Sequence, residues 1–496
     1  MLFKENYKIY IILLFSFYYI IIVNSQNNNP TNIPELLDYK SQSLHLLIHS
    51  GKCQPTLYFF PEYIERDEFI KTKKISLNDK NCFVTFYEND IFYVENKIFL
   101  LKNGLIKSDF KYGKNNLFLG AIIKNPSFIN KSNLYNMNKY QKAFRYLNSD
   151  YLFQKNMLYK AYSSMKKLFP EDFDYMPETF YYPEQKNLID KKFKNYNFNV
   201  NDLWLIKPTN LGEGHLINMF ESLDNIKLEQ FVITKYIKDI NLISGKKYDL
   251  RLYALISGLK PLRIYFYKEG QVRIASEIFS LNETNIKNRF SHLTNIAVNK
   301  YNKNFIFPNK SNDYAANTWN LLMYKKFLNN IGIQWENISE KIKDIIIKSI
   351  ISVYNNLTEE IEKQNLSDQN FYEILGFDIL ITDKFIPRLI EINYNPDMRV
   401  FNNNTKSGQI NLFIDTLNLI GIVPFNRKTD KSLFQEFQFE LIIDENLNNA
   451  FCELERPKGN YELIFPTKKN IDIYEKYFIN NNKENQKFWE KMASFY

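Results

Sequence analysis

Residues 371–396, FYEILGFDILITDKFIPRLIEINYNP, constrain the fold more than any other stretch of the chain. Two apolar runs flank a tight turn at Asp383 and Lys384, so the segment predicts a hairpin of adjacent strands. Successive side chains on a strand alternate faces, which puts Glu391 and Asn393 on the same side. Pairing across the turn then sets Asp378 opposite or diagonal to one of them. Three oxygen donors converge over an apolar support, a set that suits Mg²⁺ shared with nucleotide phosphates. The competing interpretation is a solvated sheet edge, and the remainder of the chain decides between the two.

The chain has 496 residues, enough for about two to four domains and a sizeable core. With 45% hydrophobic and 24% charged residues it is globular rather than disordered. The net charge of +9 favours acidic partners, but the basic residues are spread along the chain. No nucleic-acid partner is expected from that distribution. The cysteines are Cys53, Cys82 and Cys452, with no CxxC pair, and the four histidines stand singly. Zinc and dithiol redox chemistry are therefore not expected of this chain.

Met1 to Gln26 places Lys4 and Lys8 before an apolar run from Ile9 to Val23, followed by Asn24-Ser25-Gln26. Residues 1–25 read as a signal peptide or signal anchor, which implies membrane contact and a lumenal body by the positive-inside bias. Asn-x-Ser/Thr sequons are compatible with that placement, though an Asn-rich chain generates them by chance. In an oxidising lumen Cys53 and Cys82 are the candidates for pairing, leaving Cys452 free.

Short apolar runs with Gly and Asn breaks over residues 27 to about 125 suggest a small α/β lobe. The pattern from Asn138 to Lys167 is helical, and polar linkage follows from Pro183 to Asn201. Runs at Leu203–Ile206, Phe231–Ile237, Leu250–Ile256, Leu262–Phe266 and Val272–Ala275 predict strands of one largely antiparallel sheet. Ile338 to Ile361 predicts a core helix with Ser339 as N-cap. After Pro424 a polar, charged tail runs to Tyr496.

Trp204–Pro208 ends a predicted strand with Lys207, and Thr209–Gly214 supplies a loop with two glycines, able to lay backbone N–H groups against phosphate. Lys235 and Tyr236 close the next strand. Asp249 and Arg251 flank Leu250 and share a face, and Arg273 lies on a further strand. A buried arginine needs an anion, and phosphate is the economical choice for Lys207, Arg251 and Arg273.

The order of these motifs resembles the tubulin–tyrosine ligase-like family of ATP-grasp amide ligases. WLIKP…GEG, VITKYI, SGKKYDLRLYALI, YKEGQVRIAS, HLTN, EILGFDIL and LIEINYNP follow one another as they do there. The likeness extends from LFQKNML and DYMPETFYYP to ERPKGNYELIFP, roughly Tyr151 to Pro466. It implies an α/β ATP-grasp fold: mixed, mostly antiparallel sheets with covering helices and a small N-terminal α/β lobe. The implied divisions are 26–125 (N-terminal lobe), 126–230 (central subdomain), 231–425 (C-terminal subdomain with the metal site) and 426–496 (extension). It also implies Mg²⁺ on Asp378, Glu391 and Asn393, ATP phosphates on Lys155, Lys207 and Arg251, and an adenine pocket at Lys235, Tyr236 and Ile237. Lys247, Asp249, Arg273, Thr294 and Asn295 then shape the amino-acid and γ-phosphate side.

The implied reaction joins a free amino acid (tyrosine, glutamate or glycine) to a protein carboxylate through an acylphosphate, with tubulin the family's acceptor. Two departures stand out. The loop after Pro208 is about two residues short and lacks a basic residue before its first glycine, and Thr234 replaces the usual Gln. The alternatives are the same chemistry on a secretory-pathway acceptor, which the N-terminal segment motivates, and a catalytically degenerate nucleotide-binding relative. A functional signal implies a membrane or secretory location; without one, the cytoplasm and microtubules are implied.

Overall fold

The computed structural model of the chain describes residues 41–479 except 50–52, 62–71, 89–93, 109–114, 120–136, 210–216, 225, 227, 283–284, 310–312, 395, 397–402 and 435–444, together with 486 and 490. The expected signal or anchor and most of the glycine loop lie outside the described residues. Among those residues no helix is long and apolar enough to cross a membrane.

The described residues begin with an antiparallel sheet of β1 (Gln42–Leu47), β2 (Thr56–Leu57) and β3 (Thr72–Leu77). β4 (Thr85–Glu88), α1 (Val94–Lys102), β5 (Ile106–Lys107), β6 (Leu117–Leu119) and β7 (Lys142–Phe144) follow, with these four strands parallel. The helical pattern read over 138–167 divides into β7, α2 (Asp150–Phe153) and α3 (Lys155–Leu168), because Gln154 is extended between the two helices.

A separate four-stranded antiparallel sheet is formed by β8 (Thr179–Tyr182), β9 (Trp204–Pro208), β10 (Asn218–Met219) and β11 (Phe231–Lys235), in the order β10-β9-β11-β8. The stretch read as polar linkage contains α4 (Lys186–Phe193). Its Ile189 and Phe193 pack on Trp204, Ile206, Phe231 and Ile233, which fixes one face of this sheet as core. Lys207, of opposite parity, belongs to the other face. The strands at 203–206 and 231–237 are thus in a sheet of their own, not in one sheet with the later strands.

Those later strands build the main sheet. After β12 (Leu242–Ile243), the long hairpin of β13 (Lys246–Leu259) and β14 (Leu262–Ile274) replaces three shorter predicted strands. There follow α5 (Arg289–His292), α6 (Ile296–Asn299), β15 (Thr318–Asn320), α7 (Leu321–Asn330), α8 (Trp335–Ile351), α9 (Tyr354–Lys363), β16 (Phe371–Ile381), β17 (Pro387–Tyr394) and α10 (Asn403–Ile420). A short hairpin of β18 (Phe425–Asn426) and β19 (Lys431–Ser432) leads to α11 (Glu445–Glu455) and β20 (Tyr461–Phe465). β15, β14, β13 and β16 are neighbours in that order, and the sheet continues through the parallel pairing of β16 with β7 to β6, β4 and β5.

Both faces of the β13–β14–β16 region are buried. Leu250, Leu252, Ala254 and Ile256 pack with Ile342, Ile346 and Ile350 of α8, while Tyr253, Leu255, Tyr372 and Ile374 pack with Phe413 and Leu417 of α10. That double burial is why the strands read as near-continuous apolar runs.

Three expectations are corrected. The helix expected over 338–361 is two helices. α8 starts at Trp335 with Gln334 at its N-cap, and Ser339 is buried inside it; Val353 leaves helical geometry so that Leu357 and Ile361 of α9 reach the same core. The region after Pro424 is no mere tail, since β20 pairs with β14 and α11 buries Cys452 and Glu453. Cys53 is bonded to Cys452, not to Cys82. The Leu57 N–H binds the Ile422 carbonyl, which holds the β2 segment against the end of α10. Cys82 is free and lies instead beside Asp79 and Asn426.

Candidate active site

The predicted hairpin forms, with β16 and β17 joined across Thr382–Ile386. Asp378 is directly opposite Glu391, and Asn393 is opposite Gly376. Asn393 Nδ2 donates to Asp378 Oδ2 at 3.2 Å and to Glu391 Oε1 at 3.3 Å, so the three side chains converge.

On the other side of β16, Arg251 of β13 stands opposite Asp378. Its Nε and NH2 donate to the two carboxylate oxygens at 2.5 and 3.1 Å. Arg273, opposite Asp249 on β14, makes a second fork to Asp249 at 2.7 and 2.6 Å and reaches Asp378 Oδ2 at 2.9 Å. Thr294 donates to Asp249 Oδ2 at 2.7 Å. The anion that these buried arginines require is therefore supplied first by the protein's own carboxylates, which corrects the expectation of phosphate alone. Burial pushes the Asp378 carboxyl up, but Arg251 and Arg273 overcome that and hold it far below the usual carboxylate range. Gly376 makes the crossing possible, because a Cβ there would sit 3.2 Å from the Arg251 Cδ and 2.8 Å from Pro396.

Lysines approach from three directions. Lys155, the first residue of α3, brings its Nζ to 3.9 Å from Glu391 Oε2. Lys207 is buried at the end of β9; burial lowers its ammonium, opposed by Glu391 and Asp378. Burial lowers Lys247 to about 8, with Asp249 opposing and Lys207 adding to the effect. Lys247 Nζ donates to the Tyr236 hydroxyl at 3.2 Å, and that hydroxyl lies 2.7 Å from His292 Nδ1. His292 is held down to about 4 by burial and by Lys247, so it is neutral at pH 7.

Not every expected residue enters this cluster. Lys235 lies 4.8 Å over the Trp204 ring and pairs with Asp202, away from the arginines. With Ile237, Tyr159, Met176, Thr179 and Thr382 it lines a cavity of about 510 Å³. Asn295 is the N-cap residue of α6, where its carbonyl accepts from Val298 and Asn299. Thr234, in place of Gln, hydrogen-bonds Thr179 at 2.6 Å and ties β11 to β8. Sequence reasoning did not select Arg145, Phe153 and Tyr394, which pack together at the end of the Glu391 strand; nothing local in KAFRY marks the arginine.

Two carboxylates and one amide oxygen are a poor all-protein cage but fit Mg²⁺ that keeps water and phosphate oxygens as further ligands. Asn393 offers its nitrogen to both carboxylates, which brings the amide to the cluster; half a turn about its χ2 would present the oxygen instead. Around this donor set five cations (Lys155, Lys207, Lys247, Arg251, Arg273) meet three carboxylates (Asp249, Asp378, Glu391). That excess in a largely desolvated cluster suits a polyphosphate.

The tubulin-tyrosine ligase family model matches residues 133–431, which contain every residue of the cluster. The tubulin monoglutamylase TTLL4 of Mus musculus is 28% identical over 330 residues, 65% of this chain and 27% of that protein. The tubulin polyglutamylase TTLL6 of Homo sapiens is 30% identical over 369 residues, 70% of this chain and 40% of that protein. A probable beta-tubulin polyglutamylase of Tetrahymena thermophila is 32% identical over 266 residues, 52% and 22% respectively. The chain thus spans well under two thirds of the length of these relatives. With the family model covering more than half of its residues, the chain belongs to the tubulin–tyrosine ligase family.

Proposed function

We propose that the chain is an ATP- and Mg²⁺-dependent ligase that joins free glutamate to a carboxylate of tubulin. The observation that carries this reading is the excess of cations around the Asp378–Glu391–Asn393 oxygens. The relatives named above are tubulin glutamylases, which narrows the amino acid from tyrosine, glutamate or glycine and supports tubulin as acceptor.

In this reading the acceptor carboxylate takes the γ-phosphoryl group of ATP, giving an acylphosphate and ADP. The glutamate amine then attacks the acyl carbon and phosphate leaves, so no protein nucleophile is required. Lys155 and Lys207 hold the phosphates, and Arg251 and Arg273 stand where charge spreads over the transferring oxygens. Mg²⁺ held by Asp378, Glu391 and the Asn393 amide oxygen supplies further charge neutralisation. Asp249, fixed by Thr294, keeps Arg273 aimed. Lys235 and Ile237 border the adenine end, and Tyr236 anchors that segment to Lys247. Asn295, next to Thr294, lies on the amino-acid side.

Incubation of the purified chain with ATP, Mg²⁺, each amino acid in turn and tubulin, followed by mass spectrometry, tests the proposal. Glutamyl mass increments that vanish in Glu391→Gln are expected. Absence of any aminoacyl product, with no acceptor-dependent ATP consumption, would sink it.

One observation favours a second acceptor. The Cys53–Cys452 disulfide belongs in an oxidising compartment, where cytosolic tubulin is not at hand. Under this reading the same chemistry acts on an acidic secretory-pathway protein. Protease protection of the catalytic body in intact vesicles, with the bond intact on non-reducing peptide maps, is the expected result; a digested, fully reduced chain excludes it.

A further inference from the structure

At the end of the Glu391 strand, against Tyr394, lies a buried cation whose surroundings make it more than a filler. Arg145 follows β7, is 1% exposed and has φ +102°, a region that side chains with a Cβ rarely occupy. Such a conformation persists only where its surroundings over-determine it. Its N–H binds the Tyr372 carbonyl at 2.6 Å, its Nε donates to Ser149 at 3.0 Å and its NH2 to Asp150 at 2.9 Å. Glu373 of β16 stands 3.9 Å from the Nε. The guanidinium carbon lies 4.3 Å from the Phe153 ring and 4.6 Å from the Tyr394 ring, and those rings are 4.3 Å apart.

The two rings belong to two different parts of the candidate site. Phe153 closes α2, two residues before Lys155, and Tyr394 follows Asn393 directly. Lys155 and Glu391 are the pair that meets at 3.9 Å. A planar cation touching both rings therefore sets the separation between the start of α3 and the end of β17. NH1 of Arg145 and Oε1 of Glu373 are both buried without a hydrogen-bond partner, so stabilisation alone accounts poorly for the arrangement.

We propose that Arg145 is a positioning residue that, through Phe153 and Tyr394, holds Lys155 at Glu391 and so sets the affinity of the site for Mg²⁺–nucleotide. This rests on the ligase reading for its consequence, but not for its geometry.

The experiment uses the full chain and the double variant Arg145→Met/Glu373→Gln, which removes both buried charges together so that neither is orphaned. Arg145→Lys keeps the charge and loses the planar stack. A water-soluble carbodiimide joins an ammonium and a carboxylate in contact through an amide, with loss of water to the reagent. In wild type it is expected to link Lys155 to Glu391, and Lys343 to Glu462 as a control pair 2.7 Å apart. Both variants should lose most of the first link and keep the control, and should bind ATP in the presence of Mg²⁺ about 10- to 100-fold more weakly. An unchanged Lys155–Glu391 link overturns the proposal, as does a lost link with wild-type nucleotide affinity. Should wild type itself bind no nucleotide, the ligase reading fails, and the cross-link still decides whether Arg145 positions the pair. If the double variant does not fold, Arg145→Lys carries the same two readings.

Discussion

The β13–β14 hairpin carries two buried ion clusters on one face, about 20 Å apart by strand rise, and they differ instructively. At one end Arg263 lies in a tight set with Glu453, Tyr265 and Ser257. Gly258 leaves room for it, since a Cβ there would come within 2.2 Å of the guanidinium. Arg263 and Glu453 are both buried and hydrogen-bonded to each other and to neutral groups, while Glu453 also borders a cavity with Lys142 and Arg456. At the other end Arg251, Arg273, Asp249 and Asp378 are also buried, but the network runs on to the part-exposed Glu391 and Asn393. Tyr253, Leu255 and Tyr267 lie between the two. Burial of a charge pair is thus no mark of function by itself. What marks the second cluster is an edge at which Glu391 and Asn393 set part-exposed oxygens beside the cations.

The comparison breaks most directly at Asp378. Asp378→Asn removes the anion shared by Arg251 and Arg273, and ligation should fall at least about 10³-fold, measured as product per folded molecule. Comparable activity in variant and wild type would place the two clusters in one class. At the enclosed end, Glu453→Ala strands a buried arginine and should cost about 3 kcal/mol or more in urea unfolding, with little change in specific activity. Replacing both partners, Arg263→Met/Glu453→Leu, should recover most of that loss; no recovery would argue against a purely structural pair.

The pH dependence sharpens the contrast further. Lys247, at about 8, loses its proton above that value in the free protein, while bound phosphate favours the ammonium. Nucleotide affinity should therefore be highest below pH 8 and be roughly three- to tenfold weaker at pH 9 than at pH 7. Lys247→Arg should flatten that profile, and an unchanged slope would assign it to another group. Because the unfolded lysine titrates higher, this residue's contribution to folding stability improves as pH rises above 8. The smallest effect belongs to Cys82→Ser, which should change stability by no more than about 0.5 kcal/mol, since that thiol is free and only half-buried.

The hairpin around Asp383 and the facing of Asp378, Glu391 and Asn393 were readable because alternation and a turn are local signals. Arg251 read as functional for the same reason, a charge in an apolar strand. Its first partner did not, because Asp378 lies 127 residues away on a neighbouring strand and no local pattern encodes that pairing. The kink at Val353 was hidden by an apolar stripe that continues through it. β20 was hidden in a charged context, where Tyr461, Ile464 and Phe465 alone face inward. The Cys53–Cys452 bond joins residues 399 apart, so its pairing depends on the β2 segment lying against the α10 end.

That bond closes residues 53–452 into a covalent ring. A protease that nicks any exposed loop between residues 53 and 452 opens the ring without freeing a piece. The cut would go unseen until a reductant is added, and two fragments would then separate on the gel. A nicked molecule held by the bond keeps its two parts together, so activity surviving proteolysis only in the absence of thiols would be the signature of the closed form.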